Sequence, residues 1–189
     1  MPSHEKKKST TQIPPPPPPP PAGPRSPLSS LTSRIRTALP ERFFLSAPEK
    51  PRDPAPEGVY FFYGTLLDPG MLVEILGRDN SPELRPAFIE GFDCKLWGQY
   101  SALTPCSDAS GRGVIKGAAY RVGSSEDAEK LAEYETHHYM PCPCEIKYID
   151  DIQTPIAEKG FGFVFVGNKM DLKDGIFNLR AWRKLMGKK

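Results

Sequence analysis

The sequence lacks the features that mark several large classes of protein. Nowhere in its 189 residues does an apolar run approach the ~20 residues that a membrane-spanning helix needs, so no membrane association is expected. The opening MPSHEKKKST leads into proline and not into an apolar segment, so no secretory signal is expected, and Glu5 with the proline run fits a transit peptide poorly. Cysteine is scarce, at four residues, and without a secretory context the thiols are expected to be reduced and the protein cytoplasmic. Phosphate-binding loops of the GxxxxGK or GxGxxG type are missing. Net charge is only +2, and it is unevenly placed. Residues 1–57 carry nine Lys/Arg against five Asp/Glu, whereas residues 58–189 carry 16 against 18. The basic surplus therefore belongs to the first segment, and no nucleic-acid-binding surface is expected in the second.

Proline, in contrast, is abundant, and 16 of its 23 copies fall in residues 1–57. The run IPPPPPPPPAGPR (13–25) allows only a solvated polyproline II rod or coil, so residues 1–57 are expected to be a disordered tail. The run could serve an aromatic-lined polyproline-binding partner, or act as a plain linker. Leu28, Leu31, Ile35 and Leu39 are spaced like one helix face, but so short a helix is marginal alone.

Residues 58–189 read as one domain. VYFFY (59–63) has the length and residue types of a buried strand. Asp68 suits a helix N-cap and Pro69 the first helical position, so PGMLVEILG (69–77) predicts a short helix stopped by Gly77. Strands are predicted over 87–97, with Gly91 as a bulge or close contact, and over 113–122, 144–150 and 162–166. Helices are predicted over 124–135, where Ser124 and Asp127 resemble a capping box, and over 178–186. Residues 101–113 read as turn-rich. Strands and helices do not alternate regularly, which argues against a doubly wound parallel sheet. The pattern points to a small α+β domain with a curved or barrel-like mixed sheet of about five or more strands and short helices.

Three places could carry chemistry. YGTL (63–66) leaves a buried strand and enters a helix, where backbone N–H groups lack intrahelical partners and Gly64 permits close approach of a carboxylate or phosphate. The same segment could be an ordinary strand–loop–helix connection. In the helix over 124–135, Ala128, Leu131 and Glu135 share one face, which places a carboxylate at the end of the apolar stripe. Desolvation there would raise its pKa and suit it to general acid/base work, unless it lies past the last turn or pairs with an arginine. Glu133 points elsewhere. The third place, ETHHYMPCPC (135–144), invites a zinc reading, but the adjacent His137 and His138 and the single residue within Cys142–Pro143–Cys144 lack metal-ligand spacing, so no metal is expected. Cys142 or Cys144 could instead serve a thiol-dependent amide-cleaving enzyme.

Taken in order, YGTLLDPGML, LRPAFIEGFDCKLWGQYSAL, VIKGAAYRV and LAEYETHHYMPCPCEI resemble the gamma-glutamylcyclotransferase-like family, and the KLWG and YET segments look most like its fungal-type members. The resemblance covers residues 58 to about 182. It implies a small mixed β-barrel flanked by helices, with Tyr63, Gly64, Thr65 and Leu66 as the substrate-binding loop, Glu135 as the acid/base and Tyr139 lining the pocket. It further implies a small gamma-glutamyl substrate, cyclised to 5-oxoproline without metal, nucleotide or other cofactor. A non-catalytic member that senses a metabolite or recruits a partner is the alternative. The proline-rich tail and the Cys- and His-rich segment after Glu135 depart from the family pattern.

Overall fold

The computed structural model describes residues 53–106, 113–149 and 157–187. The polyproline run and the Leu28–Leu39 pattern lie outside them. The described elements are, in chain order, β1 (Gly58–Phe62), α1 (Pro69–Leu76), β2 (Arg85–Glu90), β3 (Phe92–Trp97), β4 (Tyr100–Pro105), β5 (Val114–Val122), α2 (Ser125–Glu135), β6 (Tyr139–Tyr148), β7 (Ala157–Phe165), β8 (Leu172–Lys173) and α3 (Leu179–Leu185), with 3-10 turns at Thr65–Leu67 and Lys169–Asp171.

All eight strands join one mixed sheet in the order β1-β5-β2-β6-β7-β4-β3-β8, and an extra parallel pairing of β1 with β7 closes β1, β5, β2, β6 and β7 into a ring. One edge of β7 is shared: Phe161 and Gly162 pair with β1, and Val164 pairs with Leu103 of β4. The short β4-β3-β8 arm is thereby led away from the ring. Strand side chains alternate between two clusters, as their period of two requires. Val59 and Phe61 pack with Ala87, Ile89, Ala119 and Ile146, and Tyr60 and Phe62 pack with residues of all three helices. The helices can lie only outside so small a ring, so the Phe61 cluster fills its lumen.

The helix boundaries follow from local chemistry. Asp68 caps α1 by accepting from the Gly70 N–H at 2.9 Å, Pro69 fills the first position, and Gly77 ends the helix at φ 64°. Ser124 caps α2 by accepting from the Asp127 N–H at 3.2 Å. The reciprocal half of a capping box is replaced, since the Asp127 carboxylate pairs with Arg78.

Two expectations need correction. The segment 101–113 is not all turn, because residues 100–105 form β4. The segment 87–97 is two strands, broken at Gly91, whose φ of 84° glycine adopts freely. The described residues just ahead of Gly58 also pack on the domain. Ala55 is buried and its N–H donates to Glu129 at 2.6 Å, Pro56 O accepts from the Tyr60 hydroxyl, and Glu57 accepts from the Ser125 N–H at the start of α2. Deletion of residues 1–57 is therefore expected to cost about 1–2 kcal/mol more than deletion of residues 1–52, from the lost helix cap and buried contacts, as read by urea unfolding of the two truncated chains.

Candidate active site

One pocket gathers the residues singled out from the sequence. Tyr63, Gly64, Thr65, Leu66, Glu135 and Tyr139 all line it. They come from three places: the chain leaving β1, the last residue of α2 and the first residue of β6. Sequence reasoning missed the opposite wall, where Trp97, Tyr100 and Ser101 arrive from the β3–β4 hairpin, and the aromatic Tyr134 beside Glu135. The signal for the hairpin was Gly98-Gln99, a two-residue turn with Gly98 at φ 63°.

The loop after β1 is a 3-10 turn, closed by Leu67 N–H to Gly64 O and Asp68 N–H to Thr65 O, both at 3.1 Å. Thr65 is pinned from α2 by the Tyr134 hydroxyl, which donates to Thr65 Oγ1 at 2.8 Å. The helix that carries Glu135 thus holds the loop that faces it. The anion-site expectation shifts at this point. The N-terminus of α1 is already occupied by the Asp68 carboxylate and the Leu67 N–H is bonded to Gly64 O, so any donors offered to a ligand belong to Thr65 and Leu66 at the start of the turn and not to α1.

Gly64 lies against β4, and a Cβ there would fall 2.3 Å from Ser101 Oγ. The demand for glycine that this contact makes is spatial. Gly64→Ala is expected to push the Ser101 hydroxyl aside and lower kcat/KM at least about fivefold with little loss of stability. Adding Ser101→Ala should restore most of the rate; steady-state kinetics and melting curves of both variants check this.

Glu135 is half-buried, and its exposed part opens into the pocket. It is the one charged side chain in the lining, and among the described residues no hydrogen bond or ion pair holds it. Burial without compensation pushes its carboxyl up from 4.5 to about 8. The tyrosines around it are committed elsewhere. Tyr63 donates to Phe163 O and accepts from the Leu103 N–H, and Tyr139 donates to Ser101 O at 3.0 Å. Burial, aided by the Glu135 charge, drives both phenols well above their usual range, so they stay protonated. Glu135 is therefore the group in the lining free to exchange a proton near neutral pH. Thr136 follows at φ 67°, the one non-glycine residue at positive φ among the described residues, and turns the chain so that Tyr139 re-enters the same pocket.

Cys142 and Cys144 do not line this pocket; they pack on the lumen cluster, and burial pushes both thiols up, Cys144 to about 12. His138 is buried against Trp97, with ring centroids 4.5 Å apart, and the His137 ring lies tilted against it at 3.9 Å. Among the described residues no three His, Cys, Asp or Glu side chains gather to hold a metal ion. No helix is long and apolar enough to cross a membrane among those residues.

A closed small barrel with an aromatic pocket around one desolvated glutamate defines a class, and the sequence match agrees with it. Residues 60–183 match the family described as gamma-glutamyl cyclotransferase, AIG2-like, and the chain belongs to that family. No curated protein matches the sequence. Two Arabidopsis thaliana proteins solved in solution share the fold. One is 22% identical at a TM-score of 0.51, over 69% of this chain and 83% of that one. The other is 22% identical at 0.51, over 75% and 79%. A glutathione-specific gamma-glutamyl cyclotransferase from yeast matches at 15% identity and a TM-score of 0.43, over 60% of this chain and 74% of that one.

Proposed function

We propose that the protein cyclises gamma-glutamyl groups. The substrate's α-amine attacks its own γ-carbonyl, a new C–N bond closes the five-membered lactam, and the original amide C–N bond breaks. The products are 5-oxoproline and a free amine or amino acid. The pocket's part is to fold the substrate so that amine and carbonyl meet, which converts proximity into rate. Glu135 takes a proton from the attacking ammonium and returns one to the leaving nitrogen. The turn after Tyr63 supplies N–H groups for the substrate's carboxylate or for the oxyanion, with Gly64 allowing the approach. Tyr139 and its neighbours wall the reacting centre from water. The chemistry balances without a metal, nucleotide or other cofactor.

The observation that carries this reading is Glu135: a carboxyl left unpaired in an apolar pocket, with its pKa pushed up to about 8, in a chain that belongs to this family. The Cys142 and Cys144 thiols lie outside the pocket, and partial burial raises their pKa where a nucleophile needs it lowered, so nothing favours a thiol mechanism. The test is 5-oxoproline release by the purified protein from gamma-glutamyl amino acids, gamma-glutamyl-amines and glutathione. Turnover of any one supports the reading. Release from none, with binding of 5-oxoproline retained, would replace it with a non-catalytic metabolite-binding role.

A further inference from the structure

Outside the pocket, α3 makes a contact that the proposed chemistry does not use. Arg183 grips Asp68 with two prongs, Nε to Oδ2 at 2.7 Å and Nη2 to Oδ1 at 2.8 Å, across 115 residues of sequence. Asp68 is buried, with 5% of its side chain exposed. It is also the residue on which the turn closes, because its N–H donates to Thr65 O. Its Oδ1 thus accepts from both the Gly70 N–H and Arg183 Nη2, and its Oδ2 accepts from Arg183 Nε. No freely rotating residue separates the ion pair from the turn.

The rest of α3 points the same way. The helix is seven residues long, too short to persist without docking. Its buried anchor is Trp182, and the indole N–H faces the hydroxyl of the pocket residue Tyr100 without completing a hydrogen bond. α3 therefore touches both walls, the turn through Arg183 and the hairpin through Trp182. The turn is then held at both ends: at Thr65 by Tyr134 of α2, and at Asp68 by Arg183 of α3. With the Arg183 side chain 38% exposed, solvent screens the pair and makes it a weak source of stability, so a role in placing the loop accounts better for its two-pronged geometry.

We propose that Arg183 is a positioning residue of the site, and that its two-pronged hold on Asp68 fixes the Thr65–Leu67 turn in the pocket wall. The proposal rests on the reading of the pocket as a gamma-glutamyl site. Arg183 touches no reacting atom; it acts through Asp68.

The test uses the full chain. The double variant Asp68→Asn with Arg183→Met removes the pair without leaving a lone buried charge, and the amide oxygen of the new side chain still caps α1. Arg183→Lys keeps the charge and loses the fork. Three readouts are taken: amide exchange at positions 67 and 68, KM and kcat on a gamma-glutamyl substrate that the wild type turns over, and Kd for 5-oxoproline. In the double variant, melting within a few degrees of wild type is expected, together with exchange at 67 and 68 at least about tenfold faster. KM and Kd should rise about tenfold with kcat within threefold, and Arg183→Lys should fall between the two. Wild-type exchange and wild-type KM in the double variant would overturn the proposal and leave the pair a stability contact. If the wild type neither turns over nor binds any gamma-glutamyl compound, the functional reading fails. The exchange rates then decide the positioning role alone: faster exchange supports it, unchanged exchange overturns it.

Discussion

Glu135→Gln is expected to lower 5-oxoproline release by at least about 10²-fold, the usual cost of removing a general acid/base. The glutamine keeps the shape of the side chain and loses its ability to accept a proton, so the loss should fall on kcat with KM little changed. Glu133→Gln, two residues away on the exposed side of α2, should be near neutral. Stability should move in the opposite direction to activity. The Glu135 carboxyl titrates at about 8 in the folded protein against 4.5 for an ordinary one, so the folded state holds its proton more tightly than the unfolded chain. Its contribution to stability is complete below about pH 4.5 and is lost as the pH rises through about 8. The loss is at most on the order of 5 kcal/mol, and less to the extent that pocket water screens the charge. Glu135→Gln should remove that dependence. Urea unfolding at pH 5 and pH 8 should show the wild type falling relative to the variant, and 5-oxoproline assays under one set of conditions should show the converse in rate. Wild-type turnover by Glu135→Gln would sink the mechanism.

The largest expected effect on folding comes from a position without a side chain. A Cβ at Gly117 of β5 would sit 2.1 Å from the Phe62 carbonyl oxygen and 2.7 Å from the Phe61 ring. Neither can yield, since one is backbone and the other is fully buried in the lumen. Gly117→Val is therefore expected to cost more than about 3 kcal/mol, a large part of the 5–15 kcal/mol typical of a small domain. Gly123, one residue past the same strand, has nothing within 4 Å of an added Cβ, and Gly123→Ala should be within about 0.5 kcal/mol of wild type. Chemical unfolding of both variants separates a crowded barrel from a general intolerance of substitution in β5. The close approach at Gly117 lies where β1 leaves the ladder for Tyr63, so the space this glycine leaves also bears on where the loop starts.

The parts of this fold that were legible in the sequence are those whose signals are local. Asp68, Pro69 and Gly77 mark both ends of α1 by backbone chemistry, and the spacing of Ala128, Leu131 and Glu135 carries the side chain of Glu135 to the pocket. Strand β4 was missed because Ser101, Thr104 and Pro105 read as turn residues. The run from Tyr100 to Thr104 is buried on both faces and shows no alternation to betray a strand. Strand β6 begins five residues before its expected start because Pro141 and Pro143 argue against a strand. They are tolerated because β6 pairs with β7 along 139–147 but with β2 only at Lys147 and Tyr148, so the prolines have a free edge on the side where an N–H would point. The hold of Arg183 on Asp68 had no signal at all. It joins residues 115 apart, and either alone reads as an ordinary surface charge or helix cap.

The join of β1 to β7 also sets an order of events during synthesis. Tyr60 pairs with Phe161 and Phe61 with Gly162, so the strand made first waits for one made roughly a hundred residues later. At the ~5–20 residues per second of translation, that wait is on the order of 5–20 s. During it, β1 can pair with β5, but the ring stays open and the aromatic side chains of β1 remain within reach of other nascent chains. Tyr63, which anchors the loop by donating to Phe163 O, has no acceptor until β7 has left the ribosome. A chain halted before residue 157 would therefore carry Glu135 and the whole YGTL segment without a pocket to put them in.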